Sequence, residues 1–148
     1  MTPTVGQTEN FVRRLFAGVT DKGGNPYAEH CIRVMLGVEG LPVDDLNAAL
    51  LHDVIEDTPT TAANLRGLGY SERTVKLVER LTRPKGVPYA DYVRGIAESG
   101  DAGLIAIKRA DLADNSDHAR LARLPEADRN RLTAKYAEAR KILDDRWT

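Results

Sequence analysis

Three short stretches of this chain carry side chains that could do chemistry. The segment from Leu50 to Thr58 reads LLHDVIEDT and places one imidazole and three carboxylates inside an apolar pattern. Asp53 lies on or beside a helix face that should be buried, where an unpaired carboxylate would be costly. Together with His52 it suggests a divalent metal ligand pair. The alternative is a core histidine next to an aspartate that is paired with a distant arginine.

The other two stretches could supply the remaining ligands. A metal site needs three or four convergent donors, which one helix cannot easily provide. His30 lies in the preceding predicted helix, and Asp111 follows an apolar run that predicts burial. Asn115 is one turn beyond Asp111 and shares its face, so its amide could bind a ligand hydroxyl or only cap the helix. Taken alone, a histidine such as His30 is more often a helix-face residue than a ligand.

Length, charge and cysteine content limit the classes of function. The 148 residues, 42% of them hydrophobic, predict a single domain over 1–148 with its own core. The 21 basic and 22 acidic residues are interspersed, which argues against nucleic-acid or membrane partners but allows local phosphate binding. One cysteine, Cys31, precludes an intrachain disulfide, and neither a signal peptide nor a membrane span is recognisable. We therefore expect a cytoplasmic protein.

Helical periodicity, capping residues, glycines and prolines predict an all-α bundle of about six to eight helices. Residues 103–107 are apolar on every side and favour a central helix, although so short a run could also be a buried strand. The segment that contains His52 and Asp53 is expected to be one continuous helix. The predicted helices cover residues 8–17, 26–37, 43–58, 61–69, 71–81, 88–100 and 101–115, followed by one amphipathic helix from Pro125 to Trp147.

Together the three stretches resemble a known family. GGNPYAEH (23–30), LLHDVIEDT (50–58) and KRADLADN (108–115) resemble the H…HD…D signature of HD-domain metal-dependent phosphohydrolases. They are most similar to the hydrolase domain of the RelA/SpoT alarmone family and its small single-domain relatives. The resemblance implies an all-α HD domain and a manganese ion held by His30, His52, Asp53 and Asp111. Mixed imidazole and carboxylate ligands suit manganese, iron or zinc, so manganese rests on the resemblance alone.

The resemblance also implies roles around the metal. Glu56 and Asp57 match a pair that positions or activates water and handles the leaving-group proton, which is general acid–base work. Lys22 matches a position that contacts substrate phosphate or the nucleotide, and Asn115 one that contacts ribose. Asp21 stands where these hydrolases have an arginine that packs on guanine. Base recognition is therefore expected to differ in this chain.

Three hypotheses for function follow. The first is a metal-dependent phosphohydrolase that releases pyrophosphate from the 3′ position of guanosine tetra- or pentaphosphate. The second keeps the chemistry but acts on another nucleotide or on a dinucleotide cofactor, and Asp21 gives it weight. The third is a non-catalytic, metal-stabilised helical module that binds a nucleotide or a protein.

Overall fold

The computed structural model describes residues 1–145 and is built from helices. Within that range eight helices have six or more residues, while α4 and α9 are single turns of four, so the predicted all-α bundle is confirmed. The predicted terminus of the last helix at Trp147 lies outside the described residues. The segments are α1 (Val5–Leu15), α2 (Tyr27–Leu36), α3 (Val43–Leu51), α4 (Val54–Asp57), α5 (Ala62–Gly67), α6 (Glu72–Leu81), α7 (Tyr89–Glu98), α8 (Ala102–Asn115), α9 (His118–Leu121) and α10 (Glu126–Asp145).

Local capping explains where several of the helices begin. The side chains of Thr61, Ser71 and Asp101 accept hydrogen bonds from backbone N–H groups of the first turns of α5, α6 and α8. Thr4 does the same for α1 and forms a capping box with Gln7, so α1 begins three residues before the predicted start. The bonds of Thr61, Ser71 and Asp101 join residues close in the chain, which is why the sequence predicts them, whereas the cap by Thr4 was not predicted.

The predicted continuous third helix is wrong, because the chain breaks between α3 and α4 at the His52–Asp53 pair. The Nδ1 atom of His52 lies 2.7 Å from the carbonyl oxygen of Ala49, the oxygen to which the N–H of Asp53 would bond in a continuous helix. Asp53 adopts a φ of −101° and a ψ of 1°, outside helical geometry. The break makes α4 a separate turn that carries Glu56 and Asp57.

Helix α8 is central to the bundle. It contacts α2, α3, α6, α7, α9 and α10, and its residues Leu104, Ile105 and Ile107 are buried. Because residues 103–107 lie within this helix, the alternative of a buried strand there is excluded. Helices α2, α3 and α8 pack against one another, so side chains from all three can meet in the interior. Across residues 1–145, no helix combines the length and the apolarity that crossing a membrane requires.

Candidate metal centre and substrate cavity

Four predicted ligand residues converge where α2, α8 and the α3–α4 break meet. His30, His52, Asp53 and Asp111 each contribute one ligand atom, and these atoms all lie within 4.8 Å of one another. The Nε2 atom of His30 is 3.1 Å from Asp111 Oδ1, and the Nε2 atom of His52 is 3.0 Å from Asp53 Oδ2. Both imidazoles are almost fully buried. The residues that the sequence predicted to meet are thus brought together.

The donor set fits a divalent cation. The Ala49 carbonyl can only accept a hydrogen bond, so the neutral ring of His52 carries its proton on Nδ1 and a lone pair on Nε2. That Nε2 atom is buried and has no hydrogen-bond partner, although two carboxylates lie beside it. Buried polar atoms are normally satisfied, and an ion at the centre of the cluster would satisfy this one. The cluster could therefore hold a divalent metal.

Without an ion, the cluster holds protons. Burial lowers the pKa of His30, but hydrogen bonds with Asp111, Asp114 and Asp53 outweigh it and raise the pKa to about 9. Burial acts in the same direction on His52, whose pKa is nevertheless raised well above its usual value by the charge of Asp53 and by the neighbouring carboxylate of Asp111. A metal ion must displace these protons because it binds neutral imidazole.

We expect metal uptake near neutral pH to release at least one proton. Because the pKa of His30 is raised, its proton is bound below pH of about 9 and competes with the metal there. The apparent affinity should therefore increase with pH, by roughly tenfold per pH unit for each displaced proton, and level off above that pKa. Calorimetric titration in buffers of different ionisation enthalpy measures the release. Binding heats that do not depend on the buffer would contradict this prediction.

Three further side chains hold the cluster in place. The hydroxyl of Tyr27 donates to Asp53 Oδ2 at 2.6 Å, and the ammonium of Lys108 donates to Asp111 Oδ2 at 2.9 Å. The Nδ1 atom of His30 is 2.6 Å from Asp114 Oδ2. Tyr27, Lys108 and Asp114 all lie within the motifs quoted above, but nothing in the sequence indicated that Asp114 would contact His30.

Asp114 lies between two arginines. Arg33 Nε donates to its Oδ1 at 2.6 Å, and Arg120 Nη1 donates to its Oδ2 at 2.9 Å. Burial raises the pKa of Asp114, but hydrogen bonds from His30 and Arg33 prevail and lower it to about 2. Arg120 belongs to α9, a single turn that the sequence did not predict, so its proximity to the site was missed.

Asp21 lies at the cavity but its carboxylate is already engaged. Oδ1 accepts hydrogen bonds from the backbone N–H groups of Gly23 and Asn25, and Oδ2 accepts one from Arg120 Nε at 3.3 Å. The side chain thereby closes the loop before α2, where Gly24 has a φ of 87°. The structure thus places a loop-closing carboxylate at this position, with a guanidinium from α9 beside it.

A cavity of about 650 Å³ opens beside the candidate metal centre. Its lining includes both predicted catalytic residues, Glu56 and Asp57, and both predicted substrate contacts, Lys22 and Asn115. Burial and the charges of Asp53 and Glu56 raise the pKa of Asp57 to about 6. Asn115 donates to Asp111 Oδ1 at 3.1 Å and accepts from Arg120, so it is more than a helix cap.

One end of the cavity is basic and aromatic. Arg83, Lys108 and Lys135 lie 5.7, 5.2 and 4.3 Å from the ring centroid of Tyr89. Burial lowers the pKa of Lys135, and the positive charges of Arg83, Lys108 and Arg131 lower it further. This end of the cavity therefore has a positive potential that would favour an anionic group. The sequence did not indicate Arg83, Arg131 or Lys135 as parts of the site, because α10, which carries the last two, is distant in the chain from Arg83 and Tyr89.

Comparisons with known proteins give the family. No protein-family profile matches the chain. A guanosine-3′,5′-bis(diphosphate) 3′-pyrophosphohydrolase, MESH1 of Danio rerio, is 32% identical over 128 residues, which are 84% of this chain and 67% of that protein. The chain belongs to this family. The HD-domain resemblance drawn from the three motifs is therefore confirmed.

Longer relatives match over part of their length. A pyrophosphohydrolase of the same name from Aquifex aeolicus is 36% identical over 102 residues, which are 64% of this chain and 14% of that protein. The bifunctional (p)ppGpp synthase/hydrolase SpoT of Escherichia coli is 34% identical over 109 residues, 66% of this chain and 15% of SpoT. The chain thus spans only a small part of these two family members.

A solved structure shares the fold. It is that of a metazoan ortholog of SpoT that hydrolyzes ppGpp and plays a role in starvation responses. It matches with a TM-score of 0.72 and 22% sequence identity, over 99% of this chain and 96% of that one. The two chains therefore share one fold over almost their whole length.

Proposed function

We propose that this chain is a single HD domain that hydrolyses guanosine 3′,5′-bis(diphosphate) to GDP and pyrophosphate. The observation that carries the proposal is the buried cluster of two histidines and two aspartates beside a cavity lined by carboxylates and cations. The names of the relatives support the reaction and the substrate. The single cysteine supports a location in a reducing compartment such as the cytoplasm.

In the proposed site His30, His52, Asp53 and Asp111 hold one divalent ion, and manganese is the ion that the family resemblance favours. Such an ion supplies positive charge that activates water and polarises the phosphoryl oxygen under attack. The protein keeps the four ligands in place through Tyr27, Lys108, Asp114 and the carbonyl of Ala49, so little reorganisation is needed.

Glu56 and Asp57 handle the protons of the reaction. Water attacks the phosphorus that is bonded to the 3′ oxygen of the nucleotide, the bond between them breaks, and pyrophosphate leaves. A carboxylate in this pair accepts the proton of the attacking water, and a protonated carboxyl donates one to the 3′ oxygen. Asp57 suits either role, because its pKa of about 6 lies close to neutral pH.

The remaining residues of the cavity bind the nucleotide. Lys22 is exposed at the entrance and provides a positive charge for a phosphate, while Asn115 lies beside the ligand cluster, where a ribose hydroxyl could reach it. The basic end around Tyr89 suits the second diphosphate of a bis(diphosphate). A nucleotide with phosphates at two positions therefore uses both ends of the cavity.

A second candidate keeps the reaction class and changes the nucleotide. Asp21 takes the place of the family arginine, and both of its oxygens are engaged by the loop and by Arg120. A guanine base would therefore meet a different surface here. Another phosphorylated nucleotide or a dinucleotide cofactor remains the alternative substrate.

The deciding experiment measures turnover by the purified protein after metal removal and reconstitution with manganese. Substrates are guanosine 3′,5′-bis(diphosphate), its adenosine counterpart, guanosine triphosphate and a dinucleotide cofactor with a phosphomonoester. We expect manganese-dependent formation of GDP and pyrophosphate from the first. Preference for another nucleotide would support the second candidate. Absence of metal-dependent turnover with every substrate would favour a non-catalytic, metal-stabilised module.

A further inference from the structure

Two groups of opposite charge compete for one nitrogen of His30. Asp114 Oδ2 lies 2.6 Å from His30 Nδ1, and Arg120 Nη1 lies 2.9 Å from the same atom. A carboxylate can only accept, so its bond requires an N–H on Nδ1. A guanidinium can only donate, so a bond from Arg120 would require a lone pair there. The two contacts call for opposite tautomers of the neutral ring.

The choice of tautomer matters because Nε2 is the atom of His30 that faces the ligand cluster. It lies 3.1 Å from Asp111 Oδ1 and 3.6 Å from Asp53 Oδ2. With the proton on Nδ1, the lone pair is on Nε2 and can bind a metal ion. With the proton on Nε2, the ring presents an N–H to the site and cannot be a ligand.

We propose that Asp114 is a positioning residue that keeps the proton of His30 on Nδ1 and so prevents Arg120 from inverting the tautomer. The inference rests on the proposed function only in taking His30 as a metal ligand. Asp114 acts through His30 and does not touch the ion. Carboxylates that bind the outer nitrogen of a histidine ligand commonly tune metal affinity in this way.

The surroundings keep Asp114 ionised and fixed. Arg33 of α2 binds Oδ1 and Arg120 of α9 binds Oδ2, so side chains from two helices hold the carboxylate. Arg120 is itself held by Asp21 Oδ2 and by the side-chain oxygen of Asn115 at 2.7 Å. Since Arg120 therefore stays next to His30 whether or not Asp114 is present, removal of Asp114 exposes the ring nitrogen to an unopposed donor.

The test measures the affinity of the purified protein for Mn²⁺ and Zn²⁺ by competition with a chelator. We expect Asp114→Ala to weaken binding by about 10–100-fold, the range for a partner of this kind. Asp114→Asn should lose less, because an amide oxygen still accepts from Nδ1–H. Arg120→Ala alone should weaken binding far less than Asp114→Ala, because Arg33 still binds the carboxylate, and the double variant Asp114→Ala/Arg120→Ala should regain part of the loss. Asp91→Ala, which removes an exposed carboxylate paired with Arg94, is the matched control and should bind like the wild type.

A spectroscopic readout separates tautomer control from general support of the fold. In the zinc-loaded wild type, the proton on Nδ1 of His30 should give a strongly downfield NMR resonance, which the alanine variant should lose. Wild-type affinity in Asp114→Ala would overturn the proposal. Equal losses of affinity in Asp114→Ala and in the double variant would also overturn it, because they would indicate that Asp114 only supports the structure. A wild type that binds neither Mn²⁺ nor Zn²⁺ would overturn it as well. Failure of the wild type to hydrolyse the nucleotide would refute the proposed function and leave the order of metal affinities as a separate result.

Discussion

Replacing Asp53 by alanine is expected to abolish activity and to remove the metal. Its Oδ2 is the cluster oxygen nearest to His52 Nε2, at 3.0 Å, and it also accepts the hydroxyl of Tyr27. The substitution removes a negative charge from a buried site that retains both imidazoles and the ammonium of Lys108. A divalent cation bound in this site would then have too little negative charge around it to offset its own charge and its loss of hydration.

We expect the affinity of Asp53→Ala for Mn²⁺ to fall by more than about 10²-fold. Removing a residue that only hydrogen-bonds to a metal ligand already lowers metal affinity by about 10–100-fold. Metal content after dialysis, measured by elemental analysis, should drop together with turnover. Asp91→Ala should keep both, because that exposed carboxylate pairs only with Arg94 among the described residues. Stoichiometric metal in Asp53→Ala would show that the ligand set is different from the one proposed here.

The second large effect is expected at α4, where Glu56→Gln and Asp57→Asn should retain metal and lose turnover. Both substitutions preserve shape and remove a group that can accept or donate a proton. Neither residue belongs to the four-residue cluster, so the metal should stay. Each rate should fall by about 10²-fold or more, the usual contribution of a positioned acid or base.

The pH dependence of the turnover rate identifies whether Glu56 or Asp57 acts as the base. Because the pKa of Asp57 is raised to about 6, its carboxylate is ionised above that pH and protonated below it. If it accepts the proton of water, wild-type turnover declines as the pH falls through that value, and Asp57→Asn loses this limb of the profile. Glu98→Gln, at the exposed end of α7, is the matched control. Wild-type rates in both α4 variants would leave the pair with a structural role only.

Much of this molecule could be predicted from the sequence because the relevant interactions are local. Ser71 and Asp101 cap helices through bonds to residues three positions away, and periodic apolar residues identify the buried faces. The four residues of the cluster were also predicted, since an ionisable group inside an apolar helical pattern needs a partner. The motif resemblance then predicted the family.

The tertiary structure decided how these residues work together. Asp114 meets His30 across 84 positions of the chain, and Arg120 meets Asp21 across 99, so neither pairing has a local signal. The break at Asp53 coincides with the contact between the His52 ring and the carbonyl of Ala49, which no sequence pattern indicated. The sequence by itself thus determined most of the helices, the family and the candidate ligands. Only packing decided which charges surround those ligands, because the contacts that set histidine tautomers and carboxylate pKa values are made between distant helices.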